Sequence, residues 1–273
     1  MNKTLYIVST PIGNLEDITM RALRILGEAD LIACEDTRQT RKLLDHYGIA
    51  KPAISYHDHN EAARTAELIE RLERGENIAL VSDAGTPLIS DPGYRLVGAA
   101  IAAGITVVPI PGPSAVTGAL AGAGLGTDSF RFCGFLPPKS SQRRKTLEAL
   151  KHESCTLVFY EAPHRVLETL EDIAAVLPAR AVVIARELTK LHEEFLRGSA
   201  AELLATLSAR PSVKGEITLL IGKAETIEAA DDTPVEEAIR VLESSGVSRM
   251  DAIKQVAKAR GLSKREVYKL TIR

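Results

Sequence analysis

Leu5-Tyr6-Ile7-Val8-Ser9-Thr10-Pro11-Ile12-Gly13-Asn14 runs four largely apolar residues straight into a loop of small residues, proline and glycine. The apolar run is too short for a helix and does not alternate, so it reads as a strand buried on both faces. The same join recurs twice. Asn77-Ile78-Ala79-Leu80-Val81 leads into Ser82-Asp83-Ala84-Gly85-Thr86-Pro87, and an apolar run over 105–110 leads into Pro111-Gly112-Pro113-Ser114. Between these joins the spacing predicts helices over 18–29 (with Asp17 as cap), 37–47 (closed by Gly48), 61–74 and 94–103, and a strand over 31–34. Strands and helices in alternation predict a parallel sheet covered on both faces.

The chain has 273 residues, 45% hydrophobic and 26% charged, which suits a globular protein of about two domains. Aromatics are 4% and Trp is absent, so base stacking on aromatic faces is not expected to dominate any nucleic-acid contact. A formal net charge of −2 excludes a general polycation and leaves such contacts to local basic patches. Cys34, Cys133 and Cys155 are far apart and form no paired framework, so they read as small buried groups in a reducing cytoplasm. The N-terminal apolar run is too short for a signal peptide, and no stretch approaches the ~18 residues of a membrane span. No metal is expected, because His57 and His59 lack clustered partners.

After Pro137-Pro138-Lys139-Ser140 a second α/β unit is expected, with strands over 156–160, 181–185, 194–197 and 216–221 and helices over 165–176 and 200–208. An acidic linker over 225–232 precedes three capping-box patterns, Thr233 to Glu236, Ser248 to Asp251 and Ser263 to Glu266. Pro234 suits a first helical position, and Gly246 and Gly261 end the helices before them. These signals predict three parts: an α/β domain over 1–122, a second over 123–224, and a helix-turn-helix-like unit over 225–273.

No phosphate-binding GxxxxGK[ST] loop is present. Gly122, Gly124 and Gly126 follow a helical pattern, not a strand, so they read as a helix end and turn. The three strand-end loops are more informative, since ligands of open α/β sheets bind outside the carboxyl ends of strands. Such loops suit S-adenosylmethionine, although the glycines and prolines of any one of them can equally just make a tight turn. Main-chain groups can read the adenine, Asp83 can take ribose hydroxyls or the amino group, and N–H groups near Ser114 can hold the carboxylate. The Gly of Lys214-Gly215-Glu216 suits close backbone approach to the same cofactor.

Five stretches resemble the ribosomal RNA small subunit methyltransferase I family of the tetrapyrrole-methylase superfamily. They are Ser9 to Leu15, Glu35-Asp36-Thr37-Arg38, Ser82 to Pro87, Pro111 to Ser114 and Arg186-Glu187-Leu188-Thr189-Lys190. The resemblance runs from Leu5 to about Lys223. It implies two α/β domains holding S-adenosylmethionine in a cleft, a homodimer, and 2′-O-methylation of a decoding-centre cytidine in 16S ribosomal RNA, in the assembled small subunit. It implies cofactor contacts at Pro11, Gly13, Asp83, Ala84, Gly85, Pro87, Pro113, Ser114, Ala115, Tyr160, Glu161, Leu188 and Gly215. Other superfamily branches carry G-x-G-P-G after the first strand, where this chain has Thr10-Pro11-Ile12-Gly13-Asn14. That departure counts against a tetrapyrrole substrate, the nearest alternative; a non-enzymatic nucleic-acid-binding regulator is the other.

A ribose hydroxyl is a weak nucleophile, so a base or a cation beside it would help. Glu187 and Lys190, three apart after a strand, are the first candidates, although the pair can equally be an exposed ion pair. Asp36, Glu161 and His164 are the others; Asp36 or Thr37 can also simply cap a helix. For RNA phosphates the candidates are Arg38, the cluster Lys139, Arg143, Arg144 and Lys145, which can equally be a solvated helix face, and the tail with Lys264 and Arg265. From Arg249 to Arg273 eight basic residues face two acidic ones, a surplus of six.

Overall fold

The computed structural model describes residues 3–224, 233–260 and 262–271. The linker read over 225–232, Gly261, Arg273 and the side chain of Lys258 lie outside the described residues. In chain order the elements are β1 (Thr4–Val8), a 3-10 turn (Leu15–Asp17), α1 (Met20–Glu28), β2 (Leu31–Cys34), α2 (Thr37–His46), β3 (Ala53–Ser55), α3 (Glu61–Glu73) and β4 (Ile78–Val81). There follow α4 (Tyr94–Ala102), β5 (Thr106–Ile110), α5 (Ala115–Ala123), β6 (Phe130–Phe135), α6 (Ser140–Ala149), β7 (Thr156–Glu161) and α7 (Val166–Val176). The last are β8 (Ala181–Arg186), β9 (Glu194–Ser199), α8 (Ala200–Ser208), β10 (Ile217–Ile221), α9 (Val235–Ser244), α10 (Arg249–Ala259) and α11 (Lys264–Leu270).

The first sheet has the order β3-β2-β4-β1-β5, with every pairing parallel. Successive residues of a strand face opposite sides, and both sides here are apolar. Leu5, Ile7, Leu31, Ala33, Ile78 and Leu80 pack beneath α3 and α4. Val8, Ile32, Cys34, Ala79 and Val81 pack beneath α1 and α2. This double burial is why the strands are apolar runs and not alternations.

The second sheet, β6-β7-β10-β8-β9, is mixed: β6 and β7 are parallel, and the other neighbours antiparallel. One face carries Leu157, Phe159, Val182, Ile184, Leu219 and Ile221 against α6, α7 and α8. The other, with Val158, Val183, Ala185 and Leu220, is covered by α5. Met1–Lys223 form one compact unit with both sheets, and Ala224–Arg273 form a second.

Several local expectations are corrected. Thr19, not Asp17, caps α1 by accepting from Ala22 N, and Asp17 ends the preceding turn. β3 and β6 were not expected. β3 has three residues, and β6 interrupts its apolar positions with Arg131 and Gly134. Gly124 is the left-handed residue closing α5, and Arg197 of β9 donates to the carbonyls of Gly122 and Ala123 there. In the second unit Pro234, not Thr233, is the N-cap of α9. Ser248 caps α10 by accepting from Asp251 N, and the Ser263–Glu266 box is complete. Ile239, Ala252, Ile253, Val256, Ala257 and Val267 form the core of this three-helix unit.

Candidate active site

Because β4, β1 and β5 are neighbours, their three loops emerge side by side, and they are knitted together. Thr10 and Gly85 exchange main-chain hydrogen bonds of 2.8 and 2.9 Å. The Thr10 hydroxyl donates to Ser82 O at 3.2 Å. The Thr86 hydroxyl donates to Pro113 O at 3.2 Å and lies 3.0 Å from Ser9 Oγ. Gly112 allows the closest approach: a Cβ there would stand 2.9 Å from the Cβ of Ser9.

Above these loops lies a cavity of about 390 Å³. Its walls come from Ile12, from Ala84 to Thr86, from Ile89 to Asp91, from Ser114 and Ala115, and from the second sheet through Phe135, Tyr160 to Pro163, Ala185, Leu188 and Gly215 to Thr218. Of the residues expected at a cofactor, Ala84, Gly85, Ser114, Ala115, Tyr160, Glu161, Leu188 and Gly215 line it. Pro11, Gly13, Asp83, Pro87 and Pro113 are not among the lining residues. Pro87 is buried, and Asp83 is exposed, its Oδ1 accepting from Asp36 N at 3.0 Å. Sequence reasoning missed Asp91 and Phe135. The turn-forming run Ser90-Asp91-Pro92-Gly93 was the one local signal for the former.

The apolar floor, main-chain rim and acidic wall suit a ligand with a flat ring, polar ends and a positive centre. Ser114 makes no side-chain cap bond to α5, so the first N–H groups of that helix are open to a carboxylate. These residues fit S-adenosylmethionine.

Glu187 and Lys190 form a clamp. Glu187 Oε1 accepts from Lys190 Nζ at 2.8 Å and from Glu216 N at 2.9 Å, and Lys190 Nζ also lies 3.1 Å from Glu216 Oε2. Gly215, at φ +90°, leaves no room for a side chain, since a Cβ would meet Glu187 Cγ and Cδ at 2.4 Å. Gly13 is likewise covered by Lys190, whose Cγ would be 2.4 Å from a Cβ. The pair thus joins the β1 loop to the β8–β9 and Gly215 loops and holds Leu188 in the cavity wall. The Lys190 hydrogen bond and that from Glu216 N hold the Glu187 carboxyl below its usual range. Burial works against the Lys190 charge, but the Glu187 and Glu216 carboxylates outweigh it and raise its ammonium. Both groups are therefore fixed ions at neutral pH.

Glu161 is corrected as a base. Its carboxylate has no exposure and is fully engaged by Arg165 Nε (2.8 Å), Arg165 Nη2 (2.6 Å), Ala162 N (2.7 Å) and Thr169 Oγ1 (2.7 Å). His164 is exposed and is not among the lining residues. Asp36 caps α2 and binds Arg38 through both oxygens, at 3.2 and 3.0 Å, which holds its carboxyl low. Asp91 differs from all of these. Burial, followed by the charge of Glu35, pushes its carboxyl up to about 6, with Asp83 adding to the rise and the Ser82 hydroxyl opposing it.

Among the expected RNA contacts, Arg143 is corrected. Its side chain has no exposure and is paired with Asp172 at 2.6 Å, so it cannot meet a phosphate. Lys139, Arg144 and Lys145 are exposed around it, although Arg144 also binds Asp172. Arg38 is 86% exposed despite its Asp36 pair. Lys264 and Arg265 are exposed in the first turn of α11. Among the described residues no helix is long and apolar enough to cross a membrane, and no group of three or more His, Cys, Asp and Glu could hold a metal ion.

Residues 4–204 match the family of Tetrapyrrole (Corrin/Porphyrin) Methylases. The chain is 50% identical to the ribosomal RNA small subunit methyltransferase I of Halalkalibacterium halodurans over 273 residues, 98% of this chain and 94% of that one. It is 48% identical to the protein of the same name from Escherichia coli O157:H7, over 98% of this chain and 94% of that one. Among solved structures it is similar to diphthine synthase (TM-score 0.61, 14% identity, 80% of this chain and 90% of that one). It is also similar to uroporphyrin-III-C-methyltransferase from Thermus thermophilus (TM-score 0.56, 22% identity, 82% and 96%). These two likenesses concern the fold alone.

Proposed function

The chain belongs to the ribosomal RNA small subunit methyltransferase I family, within the tetrapyrrole methylases, and from that membership we propose that it methylates a ribose 2′-hydroxyl of a decoding-centre cytidine in 16S ribosomal RNA. The observation that carries the reading is the cavity over three interlocked strand-end loops, in a chain half identical to relatives of that name. S-adenosylmethionine supplies an activated methyl on a sulfonium. Main-chain groups of Ala84, Gly85, Ser114, Ala115 and Gly215 bind its polar ends, and Ile12, Ala185, Leu188 and Ile217 exclude water. The Glu187–Lys190 clamp keeps the two halves of the wall in register, which serves the in-line alignment on which methyl transfer depends.

The same reading places the enzyme in the cytoplasm, as a homodimer acting on the assembled small subunit. The exposed Lys139, Arg144 and Lys145 of the first unit, and separately the exposed Lys264 and Arg265 of the second, support phosphate contacts, and the departure from the G-x-G-P-G loop weighs against a tetrapyrrole substrate. The test is incubation with labelled S-adenosylmethionine and small ribosomal subunits, followed by mapping of the modified nucleotide. Label on one decoding-centre cytidine ribose is expected. Label on a tetrapyrrole and none on the subunit overturns the reading. Light scattering on the purified protein decides the dimer.

A further inference from the structure

Three carboxylates belong to residues that line the cavity: Glu161, Glu216 and Asp91. Glu161 is consumed by Arg165, Thr169 and a main-chain N–H. Glu216 points its carboxylate at Lys190. Asp91 has no cation partner among the described residues. It is half-buried, facing Glu35 from the β2–α2 join, Asp83 from the β4 loop and the Ser82 hydroxyl. Across the cavity stands Tyr160 of β7, whose hydroxyl is pushed up by burial and by the charge of Asp91.

The loop that presents Asp91 is held in an unfavourable shape. Leu88 (φ 72°) and Ser90 (φ 69°) are left-handed without being glycine, and Gly93 has φ 137°. Each such non-glycine residue is strained and persists only where its surroundings over-determine it. Here they do. Gly93 N donates to Glu61 Oε1 at 3.4 Å, and Glu61 is itself fixed by Tyr56 and Arg95. A Cβ at Gly93 would stand 2.9 Å from Leu80 Cδ2. The backbone is thus held in place around a residue that lines the cavity and whose carboxylate has no cation partner among the described residues.

We infer that Asp91 is the catalytic base that accepts the proton of the ribose hydroxyl as the methyl group is transferred, an assignment that rests on the function proposed above. In this step the hydroxyl oxygen forms a bond to the methyl carbon. The carbon–sulfur bond breaks, and its electron pair stays on sulfur, which leaves as a neutral thioether. The proton passes from the hydroxyl to an Asp91 carboxylate oxygen and then to water. With its carboxyl pushed up to about 6 by burial and by Glu35, Asp91 is ionised at neutral pH yet a better proton acceptor than an ordinary carboxylate.

The test is Asp91→Asn, which keeps the shape and removes the base. Single-turnover methylation of small ribosomal subunits at saturating donor is followed across the pH range, beside calorimetric titration with S-adenosylhomocysteine and a thermal melt. The expected result is a loss of about 100-fold or more in rate, an intact fold, and S-adenosylhomocysteine affinity within about 3-fold. Wild-type rate falls on the acid side as Asp91 takes up a proton. Glu35→Gln, which removes a charge that raises the Asp91 carboxyl, moves that acid limb to lower pH. An Asn variant within about 3-fold of wild-type rate overturns the assignment. So does a loss of S-adenosylhomocysteine affinity that matches the loss of rate, because Asp91 would then bind the donor. A wild-type protein that binds S-adenosylhomocysteine but never methylates the subunit instead refutes the proposed function, and the base assignment falls with it.

Discussion

Replacing Asp172 by Ala removes the carboxylate that organises the α6–α7 contact. Its side chain is 3% exposed and that of Arg143 not at all. Asp172 accepts from Arg143 Nε at 2.6 Å, from Ser140 Oγ at 2.9 Å, and from Arg144. Without it, the buried Arg143 guanidinium keeps the Pro138 carbonyl at 3.3 Å. Its Nη2 also lies 3.6 Å from Glu168, a distance that gives attraction but no hydrogen bond. Stranding one partner of a buried pair costs about 3–5 kcal/mol, against a total stability of about 5–15 kcal/mol. With a urea slope near 2–3 kcal/mol/M, the unfolding midpoint followed by circular dichroism falls by about 1–2 M. Arg143→Met with Asp172→Leu, which removes both charges, recovers most of the loss. Burial tends to raise the Asp172 carboxyl, but hydrogen bonds from Arg144, Ser140 and Arg143 outweigh it and hold the group low. Its contribution is therefore complete above the unfolded value near 3.9 and disappears as pH falls through the lower folded value. A loss below about 1 kcal/mol for Asp172→Ala would refute the reasoning and return Arg143 to the residues available for RNA.

Gly13→Ala drives a Cβ to within 2.4 Å of Lys190 Cγ, and calorimetry should show affinity for S-adenosylhomocysteine reduced by about 10-fold or more as the clamp shifts, roughly 1.4 kcal/mol. Asp91→Asn is expected to raise stability at neutral pH. With the Asp91 carboxyl pushed up to about 6, the native state holds the extra proton, so stability falls as pH rises from about 4 to about 6. Discounted for partial exposure, the ionised group costs about 1 kcal/mol, seen as a thermal midpoint about 2–4 °C higher in the Asn variant. Truncation after residue 224 removes the separate three-helix unit. S-adenosylhomocysteine binding should survive, while RNA binding weakens and its dependence on salt flattens.

The N-terminal sheet was legible because both its faces are buried, which forces uninterrupted apolar runs such as Leu31-Ile32-Ala33-Cys34. The strand-end loops were legible through their prolines and glycines, and the sheet order then placed them side by side. Arg143 was misread because a basic run carries no sign of which member faces inward. The one available signal was Leu147, four residues on and buried on the same helix face. The deciding partner, Asp172, lies on another helix. Glu161 was misread for a similar reason: Arg165 and Thr169, spaced by four, follow it onto α7 and take up its oxygens. Asp91 could not be singled out, since its lack of a cation partner is a property of the folded neighbourhood and not of Ser90-Asp91-Pro92-Gly93.

The placing of β1 between β4 and β5 also bears on how the protein is made. β1 sits inside its sheet, yet it is synthesised well before both of its neighbours, Ile78–Val81 and Thr106–Ile110. At about 5–20 residues per second, Leu5-Tyr6-Ile7-Val8 waits roughly 4–14 s for the nearer one. Throughout that interval an apolar, unpaired edge stands open on the nascent chain, which makes this segment the natural target for a holding chaperone and the first place where crowded translation would provoke aggregation.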